Sequence, residues 1–205
     1  MNSDRGQSVS GDARPVRAVS LAWNGPYELQ QLAKGFKSAT GRPGVYLWTL
    51  PLDDELKIAY VGQAADLVVR MHQHIFYTLG GGYCLYDPEE LRAGRVTAFT
   101  KNAEYSPGLD DSMEKFLEDL SRFQQMAREN LQCYRYFWAE VSAWSGDAAR
   151  DRQLVESALI RQAEDVSNCL QNARVSVAPR TDVAVEVESV FCGKGVPGLG
   201  TAVVY

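Results

Sequence analysis

The chain has 205 residues, of which 45% are hydrophobic and 10% aromatic, and a formal net charge of -5. That apolar content is far above what a disordered chain carries, and the length suits one compact domain or a small core with elaborations. The acidic balance argues against a protein that coats nucleic acid through charge alone, and no stretch approaches the ~18 apolar residues of a membrane span.

Residues 1–20 are rich in Ser, Gly, Asp, Arg and Gln and lack the apolar run of a secretory signal. They read as a flexible tail, either a solubilising end or one whose Arg5, Arg14 and Arg17 touch a polyanion, and the protein is expected to be cytoplasmic with no membrane partner. Residues 26–36 place Leu29, Leu32 and Phe36 at helical spacing, predicting a short helix. Gly41-Arg42-Pro43-Gly44 is a turn leading into the strand Val45-Tyr46-Leu47-Trp48-Thr49. A polar turn over 51–55 and a second strand over 56–61 complete a hairpin.

From Ala64 to about Tyr77 the pattern is helical. Leu67, Met71 and Ile75 form an apolar stripe, and Asp66, Arg70 and His74 form a polar stripe beside it. Gly80-Gly81-Gly82 ends this helix, and residues 83–107 show no clear period. Residues 109–131 read as one amphipathic helix of about six turns whose acidic residues supply much of the negative charge. Cys133–Val141 is dense in aromatics and reads as a central strand, and residues 148–163 as a helix with Arg152, Glu156, Ile160 and Ala163 along one line. Residues 183–191 alternate apolar and acidic positions as a half-exposed strand, followed by a short strand at the C-terminus. Cys84, Cys133, Cys169 and Cys192 show no zinc-ligand spacing and read as isolated thiols, mostly buried structural ones.

Phosphodiester cleavage requires activation of water, neutralisation of charge on the transferring phosphoryl group and help for the leaving oxygen. Arg70 offers a fork of donors suited to phosphate oxygens. His74, one turn later, exchanges a proton near neutrality, whereas His72 points elsewhere on the same helix. Glu156 is a hard oxygen ligand of the type that holds a hydrated Mg²⁺. Spacing alone leaves another reading open, in which Asp66, Arg70 and His74 are a solvated ladder of charges.

Gly44-Val45-Tyr46, followed fourteen residues after the tyrosine by Tyr60-Val61-Gly62, resembles the paired elements that name the GIY-YIG nucleases, with Val in place of Ile in each. Arg70 stands ten residues beyond the second tyrosine, His74 one turn later and Glu156 on a helix after a third strand, as in that family. Asn168 matches an asparagine about twelve residues past the glutamate, with Asn172 the alternative. The resemblance covers roughly residues 41–77 and 134–172. It implies an α+β fold, a small central antiparallel sheet flanked by helices, here with a helical insertion at about 78–132 and a C-terminal strand extension, all within one domain over 21–205.

The same resemblance implies a Mg²⁺-dependent endonuclease, with Mn²⁺ able to substitute, acting on double-stranded DNA. Tyr46 would activate water, Tyr60 position the phosphate, Arg70 clamp it, His74 assist, Glu156 hold the metal and Asn168 orient the surroundings. Gly44 and Gly62 are expected to permit backbone turns beside the site. Gln63 replaces a lysine frequent in the family, which shifts proton handling toward His74. Lys34, Lys37, Arg42, Lys57, Arg70, Arg92, Arg95 and Lys101 are expected to flank the DNA. A restriction enzyme, acting as a symmetric homodimer on a palindrome, is the leading expectation. A non-catalytic nucleic-acid or protein-binding module, and a repair or recombination nuclease acting on branched DNA or a ribonuclease, are the alternatives.

Overall fold

The hairpin of β2 (Gly44–Leu52) and β3 (Glu55–Ala64) turns through Asp53 and Asp54, both left-handed at φ 49° and 63°. A two-residue turn with both φ positive matches the right-handed twist of the strands, and Asp tolerates it better than most residues. Trp48 pairs with Tyr60 but Thr49 pairs with Ile58, leaving Ala59 as the extra residue of a β-bulge. The computed structural model describes residues 15–100, 112–167, 170–171, 184–192, 195–200 and 202–204.

Within those residues the remaining strands are β1 (Val16–Tyr27), β4 (Arg135–Glu140), β5 (Ala184–Phe191) and β6 (Ala202–Val204). Together they form one sheet in the order β3-β2-β4-β1-β5-β6. The helices are α1 (Leu32–Gly35), α2 (Leu67–Leu79), α3 (Pro88–Arg92), α4 (Ser112–Glu118), α5 (Leu120–Gln132) and α6 (Ala148–Val166). The α+β class and the flanking helices agree with expectation. The sheet is neither small nor wholly antiparallel, because β1 runs parallel to β5 over Val16–Trp23 while pairing antiparallel with β4 near Asn24.

The strand β1 corrects two expectations: residues 16–20 are not a tail, and residues 26 and 27 are not yet helix. Leu21 and Trp23 are buried on one face, but Ala18, Ser20 and Ala22 give the stretch little apolar contrast, so its alternation is faint in the sequence. The helical piece that follows is short, a single 3-10 turn at Leu29–Gln31 leading into α1, with Leu32 and Phe36 buried. The expected helix over 109–131 is broken. Asp119 leaves helical geometry at φ -146°, ψ 82°, and its carboxylate accepts the Arg122 N–H at 2.9 Å, so it ends α4 and caps α5.

Both faces of β2 are covered, which is why it reads as an unbroken apolar run rather than an alternating one. Val45 and Leu47 join Val61, Phe137 and α6 residues Val155, Ala158 and Leu159 in one core. Tyr46 and Trp48 join Leu67, Met71, Tyr134 and Tyr136 in the other. The strand expected over 183–191 is present as β5, with Val185 and Val187 fully buried, and it hairpins with β6.

Candidate active site

Alternation along β2 and β3 puts Tyr46, Trp48, Tyr60 and Gly62 on one face, with Tyr46 opposite Gly62 and Trp48 opposite Tyr60. Gly62 lies in a strand with no left-handed φ, so its role is not the turn expected of it. A Cβ there would collide with the Tyr46 ring and hydroxyl. Gly44 is likewise a strand residue, where a Cβ would meet the Ala139 carbonyl.

The helix α2 starts immediately after β3. Asp66 caps it by accepting the Val68 and Val69 N–H groups at 2.9 and 3.1 Å, and it also takes the Gly41 N–H at 3.2 Å. Asp66 is therefore committed to the backbone, and His74 is only 4% exposed, so the solvated-ladder reading of Asp66, Arg70 and His74 fails. His72 is exposed on another face, as helical spacing requires.

The Tyr46 hydroxyl and His74 Nε2 lie 2.6 Å apart, and the Arg70 guanidinium, which donates to Gln73 Oε1 at 3.3 Å, is near enough to act electrostatically on both. Burial, reinforced by repulsion from Arg70, lowers the His74 pKa to about 3, so the imidazole is neutral at physiological pH. Burial holds the Tyr46 phenol well above its usual range. When the phenol donates its proton to Nε2, the remaining proton of the neutral ring sits on Nδ1. Tyr60 stacks on Tyr46 at 6.1 Å between ring centroids, and Trp48, Tyr60 and Tyr83 surround the His74 ring at 5.2 to 5.7 Å.

Glu156 comes from α6, which packs on the opposite face of the sheet. Because β3 is an edge strand, the Glu156 carboxyl can approach it, near enough for the Gln63 backbone N–H to favour the ionised form. The carboxyl thus reaches the open edge of β3 and interacts electrostatically with Arg70, Tyr46 and Tyr60. Desolvation raises its pKa to about 7, against the opposing pull of Arg70 and the Gln63 N–H. Arg152, one turn earlier on α6 and only 8% exposed, donates from Nε to the Gln63 side chain at 3.2 Å. Gln63 therefore tethers α6 to the strand edge where a lysine was the comparison.

Asn168 and Asn172 lie outside the described residues. Between them, Gln171 donates its backbone N–H to the carbonyl of the bulged Ala59 at 2.6 Å and its amide to the Tyr134 hydroxyl at 2.8 Å. Ser167 caps the neighbouring Ile58 carbonyl. The bulge thus exposes carbonyls that the chain after α6 captures, and it brings Gln171 to a cavity of about 430 Å³ beside the site. Arg70, His74, Tyr60 and Trp48 line it together with Tyr83, Cys84 and Tyr86 from the insertion, the Tyr83 ring packing on His74. None of Trp48, Tyr83, Tyr86, Tyr134 or Gln171 was a sequence-level candidate; the aromatic density of CYRYFWAEV and YCLY was the available signal.

No family model, curated protein or solved structure aligns with it, so the resemblance to GIY-YIG nucleases rests on the residues themselves. Among the described residues no three His, Cys, Asp or Glu side chains group to hold a metal, leaving Glu156 as a single-carboxylate candidate. Several cations expected to flank DNA are engaged in surface ion pairs: Arg42 with Glu140 at 2.6 Å, Lys57 with Glu55 at 2.7 Å and Arg95 with Glu90 at 2.5 Å. Arg92 is exposed beside that last pair, and Lys101 lies outside the described residues. Among the thiols, Cys133 is buried, Cys84 half-buried at the cavity and Cys192 exposed, which corrects the expectation of burial for the last.

Proposed function

We propose that this protein is a metal-dependent DNA endonuclease, with site-specific restriction cleavage as its most economical role. The observation that supports this reading best is the buried Tyr46–His74 hydrogen bond with the half-buried Arg70 guanidinium beside it, next to the edge strand β3, and the Glu156 carboxyl within electrostatic reach of them. A plain core would have no use for a guanidinium, an unprotonated imidazole and a desolvated carboxyl at one edge.

In this mechanism the half-buried Arg70 donates to the non-bridging oxygens of the scissile phosphate. Tyr46 accepts a proton from the attacking water while passing its own to Nε2 of the neutral His74, as the water oxygen bonds to phosphorus and the bond to the leaving oxygen breaks, that oxygen taking its proton from solvent. The imidazolium so formed is disfavoured by burial and by Arg70, and the anionic phosphate offsets that repulsion once bound. Tyr60, stacked on Tyr46 and partly exposed to the cavity, orients the phosphate.

Glu156 would hold Mg²⁺ or Mn²⁺; a hard carboxylate that burial has made reluctant to ionise gains most from a cation, and hydrated Mg²⁺ is satisfied by one or two protein carboxylates. When bound, the ion supplies charge neutralisation and a more acidic water.

The test is incubation of the full chain with a diverse plasmid in Mg²⁺ or Mn²⁺, alongside Glu156→Ala and Arg70→Ala. We expect discrete metal-dependent fragments from the parent and a fall of roughly 100-fold or more in each variant. Equal cleavage by all three proteins, or none by the parent in either metal, overturns the proposal.

A further inference from the structure

The cavity beside Arg70 is larger and more aromatic than a phosphate needs. It measures about 430 Å³, within the range of roughly 300–1,000 Å³ typical of sites that enclose a small organic ligand. Phosphate recognition is complete with the guanidinium and the phenols at one wall. The remainder is bounded by Trp48, Tyr83, Tyr86 and Tyr134, with Asn130 and Gln171 also in the lining.

One polar group on this wall also lacks a partner. Trp48 is 7% exposed, and its buried indole N–H meets no acceptor among the described residues. The Trp23 indole N–H is likewise buried without an acceptor away from this cavity, so a ligand is indicated by the cavity's size, its aromatic lining and Arg70. Flat aromatic walls suit the faces of a planar heterocycle, and the Asn130 and Gln171 amides, already bonded to the Tyr86 carbonyl and the Tyr134 hydroxyl, help to hold those walls in place. Arg70 at the same wall fixes where that heterocycle's phosphate lies.

Resting on the nuclease reading, we infer that this cavity is a subsite for one unstacked nucleobase, adjacent to the phosphate that Arg70 binds. The substrate class is accordingly DNA with an unpaired or extruded nucleotide at the cleavage position. A base still stacked in a duplex is shielded by its neighbours from walls of this kind, and extruding it is least costly where it is already unpaired. Aromatic walls accept any base because every base has a π face, so this subsite adds little sequence choice of its own and leaves site selection to contacts elsewhere on the duplex.

The test is equilibrium binding of the full chain without divalent cations to three labelled duplexes: one fully paired, one with a single unpaired adenine and one with an abasic unit in place of that adenine. We expect the unpaired adenine to bind about ten-fold or more tightly than its abasic counterpart, the scale of one base stacked on aromatic side chains. Cys84→Phe, which fills the cavity, should erase that preference and keep affinity for the paired duplex.

A second readout needs no variant. Adenosine monophosphate should slow alkylation of Cys84 and ribose 5-phosphate should not, with the exposed Cys192 as the internal reference. Equal affinity for the adenine and abasic duplexes, or equal protection by the two small phosphates, overturns the subsite and leaves the nuclease reading standing. A base preference without metal-dependent cleavage overturns the nuclease reading alone. Binding to none of the duplexes overturns both.

Discussion

Glu156 is the residue at which opposing forces are most nearly balanced. Desolvation raises its pKa to about 7, while Arg70 and the Gln63 N–H resist the rise. A carboxyl whose folded pKa exceeds its unfolded value of about 4.5 contributes most below that value and loses its contribution as pH rises through about 7. The ionised form therefore costs the fold up to about 3 kcal/mol above neutrality. Glu156→Gln keeps an acceptor for Gln63 and removes the charge, so its melting temperature should exceed that of the parent at pH 8 and match it at pH 5. Mg²⁺ should narrow the gap at pH 8 by stabilising the parent alone. Parallel melting curves from pH 5 to 8 would show that the carboxyl is not desolvated. At this scale the resemblance carried by Gly44-Val45-Tyr46 and Tyr60-Val61-Gly62 is what singled out Tyr46, Tyr60, Arg70, His74 and Glu156, while strand alternation accounts for Tyr46 and Tyr60 sharing one face of the sheet and helical spacing for Arg70 and His74 lying on one side of α2. It was silent about Gln63 and Arg152, whose pairing depends on α6 passing the edge of β3 from the other face.

Elements were legible where one period runs without interruption and illegible where two elements share a phase. The apolar positions of 109–131 continue in register across Asp119, so periodicity alone merges α4 and α5 into one helix, and only the side chain's hydrogen bond to Arg122 N–H marks the break. The Trp48–Tyr60 bulge is equally invisible, since inserting Ala59 alters pairing without altering composition. The insertion, without assignable pattern over 83–107, gains its order from long-range bonds. Asn130 of α5, 3% exposed, donates to the Tyr86 carbonyl at 2.8 Å and so holds the insertion wall of the cavity against the helix. Asn130→Ala leaves that carbonyl without its donor, and we expect a loss of about 1–3 kcal/mol in urea denaturation. An unchanged denaturation midpoint would mean that the wall is held by other contacts.

At the scale of the whole molecule, the sheet separates two cores and carries the site at one edge and β5–β6 near the other. The expectation of a small antiparallel sheet failed because β1 joins the halves: it pairs with β4 on one side and β5 on the other, a non-local arrangement that no short window of sequence contains. Two faces that share every strand should unfold together despite the length of the sheet. Val187 offers the means to test this. It is fully buried, pairs with Val19 in the parallel ladder and with Ala202 in the final hairpin, and lies several strands from Tyr46. Val187→Ala removes two buried methyl groups and should lower stability by about 2 kcal/mol. Trp48 fluorescence near the site and far-ultraviolet circular dichroism of the whole sheet should then shift by the same amount along the denaturant axis, as one transition. If the circular dichroism shifts alone, the β5–β6 edge unfolds as a separate unit and the site half of the sheet is stable without it.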